Sequence, residues 1–150
     1  MIALTYIDKK SATIAAIKDY ENMKLIISTT PQEIKEEYED IISINSPSFD
    51  DMPKAHNPHA GENKVIHSLD KINVMLERYR QAVEYMEWFE AALLSLSEEE
   101  RMVLKEFYMQ GNQKSGASAR IQIKMNYSPR QVERLRQKSL ERLMFNLYGR

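Results

Sequence analysis

The sequence predicts an all-α protein, and three observations lead to that fold class. Apolar residues recur at helical spacing, whereas the alternation typical of strands is scarce. A serine or threonine followed three residues later by Glu or Gln, the pattern of a helix start, occurs at Thr30, Ser97 and Ser128. Three of the five prolines lie together in residues 45–62. We therefore expect helices interrupted by one long irregular segment.

The N-terminal part, residues 1–44, is predicted to be a helical pair. Apolar spacing indicates a first helix from about Leu4 to Ser28. Thr30 then has the features of a cap, because Pro31 suits the first helical position and Glu33 completes a capping box. The second helix should run to about Ile44, followed by the Pro-rich loop at residues 45–62.

Residues 63–95 carry the longest helical pattern in the chain. Its apolar residues form a heptad repeat: Leu69, Ile72, Leu76, Tyr79, Val83, Met86 and Leu93. A helix of about 30 residues is about 45 Å long and cannot bury such a stripe alone. It needs the N-terminal helices, which would give an antiparallel coiled coil, or a second copy of the chain, which would give a homodimer. The sequence leaves both alternatives open.

Residues 96–150 are predicted to hold three further helices. Ser97 begins the first, which carries three acids in its opening turn and ends near Gly111. Residues 117–125 form a short second helix, and Asn126 tolerates the left-handed conformation of a tight turn. Ser128 caps the last helix, which should end near Tyr148.

The last helix has two different faces when its residues are placed 100° apart. The apolar face contains Val132, Leu135, Ser139, Leu140, Leu143 and Leu147. Arg130 and Arg134 point away from it, with Gln131 beside them, and these groups can hydrogen-bond base edges or phosphate. Arg136 falls near the apolar face, where we expect it to pair with an acid or extend past the core. A short helix, a tight turn and such a helix are the arrangement of a helix-turn-helix.

The charge distribution supports a nucleic-acid partner at this end. Residues 1–110 hold 12 Lys/Arg and 20 Asp/Glu, a net −8, and residues 111–150 hold 9 and 2, a net +7. An acidic remainder is repelled by a polyanion, so double-stranded DNA should be met through the C-terminal part.

The segments LSEEERMVLKEFYMQG (96–111) and YSPRQVERLRQKSLERL (127–143) resemble the fourth conserved region of sigma-70-type factors. That resemblance implies a C-terminal helix that enters the major groove of promoter DNA. By it, Arg130, Gln131 and Arg134 would face bases, and Ser128 and Lys138 would face the DNA backbone. Arg120 and Lys124 are assigned to phosphates, and Lys114 is a further candidate DNA contact. One departure is Gln122, which stands where the family has a small residue and would crowd the helix crossing.

The size, the N-terminal helices, the Pro-rich loop and the long helix resemble the ArpU/RinA-type late-gene regulators of phages. This resemblance implies a phage or prophage transcription regulator in the bacterial cytoplasm, with host RNA polymerase as a further partner. Two alternatives belong to other classes: a small-terminase-like DNA-packaging protein, and a polymerase-binding adaptor that does not contact DNA.

Other chemistry is poorly represented in the sequence. The absence of cysteine excludes disulfides, thiol catalysis and Cys-ligated zinc, and is compatible with a reducing cytosol. The three histidines, His56, His59 and His67, are better explained by a solvated loop than by a metal site. Charges at residues 8–10 argue against a signal peptide or membrane span. Without a phosphate-binding loop or nucleophile motif, we expect no enzyme and no cofactor.

Overall fold

In a computed structural model, the chain is described over residues 8–44, 59–109 and 116–149. Within these ranges it forms five α-helices and no strand, which confirms the all-α prediction. The helices are α1 (Lys9–Ile44), α2 (Ala60–Leu94), α3 (Glu98–Leu104), α4 (Ala117–Met125) and α5 (Pro129–Tyr148). A π-helical turn, Lys105–Met109, continues α3.

The predicted division of the N-terminal part into two helices is wrong. One helix, α1, runs through Pro31, and Thr30 is among its buried residues, 4% exposed, rather than a cap. A proline inside a helix removes one backbone hydrogen bond and costs about 3 kcal/mol or more. A break at this point would expose the buried side of the helix as well, so tertiary burial overrides the local capping pattern. The cap lies instead at Asp8, whose Oδ1 accepts from the amide of Lys10 at 3.1 Å. Residues 4–7, part of the predicted first helix, lie outside the described residues.

The predicted heptad repeat of α2 is half right. Ile72 is buried, and Tyr79 and Met86 are half-buried, as expected. At the alternate positions Leu69 and Leu76 are 43% and 48% exposed, and Val83 is only half-buried. The buried row lies one residue earlier, at Ser68, Met75, Ala82 and Phe89. Small side chains such as Ser68 and Ala82 allow a neighbouring helix to approach closely, which a count of large apolar residues does not detect.

The chain divides into two compact units, and each long helix contributes to both. The first unit takes α1 as far as Lys24, α2 from Glu84 onward, and α3 to α5. The second unit is Leu25–Val83. In this second unit an ion pair of 2.6 Å joins Lys71 Nζ of α2 to Glu37 Oε2 of α1. The hydrogen bond from Lys71 is the main reason that the pKa of Glu37 is lowered.

The core of the first unit is centred on Phe89, which is fully buried. The ring of Tyr85 stacks on it at 5.4 Å between centroids, and Tyr20 packs at 5.6 Å. The other buried members of this core are Ala16, Ile17, Ala92, Leu96, Leu104, Tyr108, Leu140 and Leu143. Since Leu140 and Leu143 belong to α5, the last helix is fixed to the same core as the ends of the two long helices.

We predict that Pro31→Ala stabilises the protein. In a continuous helix the substitution restores a backbone donor, and should raise the free energy of unfolding by about 1–3 kcal/mol in urea denaturation. If a helix began at Thr30 instead, loss of the favoured proline would leave stability unchanged or lower it. Glu33→Ala is the matched control, because this exposed residue matters only if a capping box forms, and its effect should stay within about 0.5 kcal/mol.

Candidate nucleic-acid interface

A tight turn joins α4 to α5. Asn126 ends α4 in the left-handed conformation, with φ 55° and ψ 42°, and it is the only non-glycine residue with positive φ in the described part of the chain. Asparagine tolerates this conformation because its short polar side chain can hydrogen-bond locally. The turn residue predicted from the sequence is therefore confirmed.

The start of α5 is a complete capping box. Ser128 Oγ accepts from the amide of Gln131 at 3.3 Å, and the amide of Ser128 donates to Gln131 Oε1 at 2.8 Å. Pro129 occupies the first helical position. This confirms the predicted cap and also limits Gln131, because its side-chain oxygen is used within the helix. Its amide nitrogen remains the group that could donate to a base or phosphate.

An apolar cluster seats α5 on the two helices before it. Val103 of α3, Ile121 of α4 and Val132 of α5 are each 0–1% exposed and pack together. Val132 lies six residues after Asn126, and its contact with Ile121 holds the second helix against the first. Because one face of α5 is held here and at Leu143, its opposite face is directed to solvent.

Two arginines stand on that solvent face. Arg130 and Arg134 are exposed, lie one turn apart, and form no hydrogen bond or ion pair with other described residues. A shallow depression runs along this face, lined by Arg130, Glu133, Arg134, Gln137, Lys138 and Glu141. Glu133 pairs with Arg136, and in the C-terminal half the charges of Lys138 and Glu141 cancel, so the cationic surface is concentrated at the capped end. There the helix dipole also favours an anion.

Arg136 behaves differently from these two arginines, as the face analysis predicted. Its guanidinium carbon lies 4.8 Å from the centre of the Phe107 ring, and its Nε donates to Tyr108 Oη at 3.0 Å. Nη1 pairs with Glu133 Oε2 at 3.3 Å. The side chain is thus held at the edge of the core, so Arg136 is not a candidate DNA contact.

Arg120 and Lys124, predicted to contact phosphate, share a partner inside the protein. Arg120 Nε lies 2.8 Å from Glu106 Oε2, and Lys124 Nζ lies 2.7 Å from Oε1 of the same carboxylate. Hydrogen bonds from Lys124 and Arg120 outweigh burial and lower the pKa of Glu106. The pairing ties α4 to the π-helical turn and leaves one net positive charge among the three groups. Contact of either cation with phosphate stays a prediction.

A second buried carboxylate was not found by reasoning from the sequence. Glu100 is 2% exposed, accepts from the amide of Ser97 at 3.0 Å, and bonds Arg142 Nη1 at 3.0 and 3.1 Å. Burial acts to raise the pKa of Glu100, but the Ser97 amide and Arg142 together lower it. The pair links the start of α3 to α5. Both residues were visible in the sequence, but 42 positions separate them, so no local pattern connects them.

The sequence also singles out Lys138, Gln122 and Lys114. Lys138 is exposed on α5, and its charge contributes to lowering the pKa of Glu100. Gln122 does not crowd the helix crossing, because it is half-buried and its Nε2 donates along α4 to Ser118 Oγ at 3.1 Å. Lys114 lies outside the described residues.

Within the described ranges, no group of three or more His, Cys, Asp or Glu side chains could hold a metal ion. No helix in the same ranges is long and apolar enough to cross a membrane. No family model, curated protein or solved structure matches the chain.

We predict that Glu106 makes the stability depend on pH in acid. Its pKa is lowered in the folded protein, so its contribution is complete above its ordinary value of 4.5 and is lost as the pH falls below it. Glu106→Gln should lower the urea midpoint at neutral pH, since Arg120 and Lys124 then lose their carboxylate. The difference between the two proteins should shrink below about pH 4.5.

Urea unfolding of the original chain and of the Glu106→Gln variant across the acid range measures how their difference in stability depends on pH. Glu77→Gln is the control. The pKa of Glu77 is also lowered, but this carboxyl is exposed and pairs with Arg80 along its own helix, so it does not connect two helices. A pH-independent difference for Glu106→Gln would contradict the assignment.

Proposed function

We propose that the protein is a transcription regulator of the phage or prophage type that binds double-stranded DNA through α4 and α5. In this proposal the two helices act as a helix-turn-helix, α5 enters the major groove, and α4 lies across the backbone. The observation that carries it is the exposed pair Arg130 and Arg134 at the capped end of α5. The local order of short helix, left-handed turn residue and seated second helix supports it.

The charges support the same end of the chain as the DNA-contacting part. Residues 111–150 carry a net +7 and residues 1–110 a net −8. Arg120 and Lys124 are partly neutralised by Glu106, and Arg142 by Glu100. The unpaired arginines on α5 are therefore the groups best suited to a base edge or phosphate, with Ser128, Gln131 and Lys138 beside them.

The resemblance to sigma-type regions supports a role together with host RNA polymerase in the bacterial cytoplasm. In this role α4 and α5 contact the promoter, and the acidic helical remainder provides the surface for a protein partner. A regulator of this kind needs affinity for a particular duplex sequence rather than for any polyanion.

We predict that Arg130→Ala and Arg134→Ala each weaken binding to a preferred duplex by about fivefold to 150-fold. This is the loss of about 1–3 kcal/mol expected for a base contact. The probe is a duplex selected by the full chain from a random pool, with affinity measured by fluorescence anisotropy at two salt concentrations. If an arginine contacts phosphate instead, the loss is uniform across sequences and the salt dependence decreases.

Arg78→Ala is the matched control, because it removes the same charge from an exposed position on α2. It should leave duplex binding unchanged. The proposal fails if the full chain selects no duplex, or if the double variant Arg130→Ala/Arg134→Ala binds as the original does. Retention of RNA polymerase by a chain that binds no duplex would favour the adaptor alternative.

A further inference from the structure

The side of α2 next to its buried face carries exposed large apolar residues. Ile66 is 57% exposed, Leu69 43% and Leu76 48%, and all three lie in the second unit. Single exposed apolar side chains are ordinary on protein surfaces. These three recur at heptad spacing along a helix whose other apolar face is already packed, which is not ordinary.

The spacing defines a second seam, which consists of Ile66, Leu69, Asn73, Leu76, Arg80 and Val83. In coiled-coil notation Ile66, Asn73 and Arg80 are a positions, and the two leucines and Val83 are d positions. The buried row Ser68, Ile72, Met75, Tyr79 and Ala82 then falls at c and g. The two rows are centred roughly 110° apart around the helix. The helix thus has one apolar face filled within the chain and a second that is open among the described residues.

The residues of the second seam favour pairing with an identical helix. Leucine at d and a β-branched residue at a favour a two-stranded coiled coil. An asparagine at a single a position loses stability unless its amide finds a matching polar group, and the same residue on an identical helix provides one. Asn73 is therefore suited to face Asn73 of a second copy of this chain.

The charges beside the seam favour a parallel orientation of the two paired helices. The e positions are all acidic: Asp70, Glu77 and Glu84. In an antiparallel pair the e rows face each other, and these carboxylates would repel. In a parallel pair each e row faces the partner's g row, which is Val65, Ile72 and Tyr79 and carries no charge.

Arg80 is the one charged residue in the seam. Its Nε lies 3.0 Å from Glu77 Oε2 and its Nη2 lies 2.6 Å from Oε1. This two-point pair with a carboxylate on the same helix compensates the guanidinium, so two copies of Arg80 can approach each other. Since α2 is already folded against α1, association does not have to include the free energy of forming the helix.

We propose that the second seam of α2, which runs from the exposed Ile66 to the half-buried Val83, pairs with the same seam of a second copy to form a parallel, in-register homodimer. The dimer carries two copies of the basic helix α5. The inference does not depend on the proposed DNA binding, and self-association can be tested without DNA.

The chain contains no cysteine, so one introduced thiol is unique in each copy. In a parallel pair residue 73 faces itself, and Asn73→Cys should form an intermolecular disulfide on mild oxidation, which requires Cα atoms about 4.4–6.8 Å apart. Val74→Cys is the control, because Val74 is also exposed, at 56%, but points away from the seam. An antiparallel pair would place residue 73 opposite residue 76 and give no such bond.

Sedimentation velocity of the full chain over a wide concentration range gives the second measurement. We expect a monomer–dimer equilibrium whose dissociation constant rises by about a hundredfold or more in Leu69→Ala/Leu76→Ala, and by no more than about threefold in Val74→Ala. Both leucines are exposed, so helicity measured by circular dichroism should be unchanged. A chain that stays monomeric at all concentrations overturns the proposal. So does a dimer insensitive to the leucines, or equal cross-linking of the Asn73→Cys and Val74→Cys chains.

Discussion

The packing of Val103, Ile121 and Val132 is the contact on which the candidate interface depends. These three side chains come from three successive helices and exclude water almost completely. They fix the rotation of α5 about its own axis, and with it which side chains face solvent. If α5 were rotated by one residue, about 100°, a different set of arginines would be presented. The direction of Arg130 and Arg134 is therefore a consequence of apolar burial, although their charge is the property that matters for DNA.

The ion pairs of the first unit hold some basic side chains in structural contacts. Other basic side chains of equal charge are not held in this way. Glu100 and Glu106 are both almost fully buried, and each is satisfied by basic residues from later helices. A buried carboxylate without such partners would be strongly destabilising, so these contacts constrain α4 and α5 relative to α3. As a result the strongly basic C-terminal segment contains fewer available cations than its net charge suggests. An arginine without an internal partner is available to DNA, whereas Arg120 and Arg142 would first have to leave their carboxylates.

The long helix α2 shows how one helix can offer two apolar faces. Its c and g positions are packed within the chain, whereas Ile66, Leu69 and Leu76 at the neighbouring a and d positions remain exposed. The sequence pattern mixed the two rows, because Leu69 and Leu76 are larger and more apolar than the buried Ser68 and Ala82. A count of large apolar residues predicts that the face with the largest side chains is buried. Two helices that approach closely, however, also need small side chains where they meet. Leu69 and Leu76 keep 43% and 48% of their surface exposed, so burying it is left to a second helix surface.

The sequence by itself determined the fold class, the left-handed turn at Asn126, the capped start of α5 and the separation of Arg136 from its neighbours. All of these follow from local spacing, because caps, turns and helix faces depend on residues within one or two turns of each other. Only the tertiary structure decided that α1 continues through Pro31, which face of α2 is buried, and that Glu100 and Glu106 hold Arg142, Arg120 and Lys124. These outcomes depend on burial and on partners distant in sequence, and burial can outweigh a local signal of a few kcal/mol.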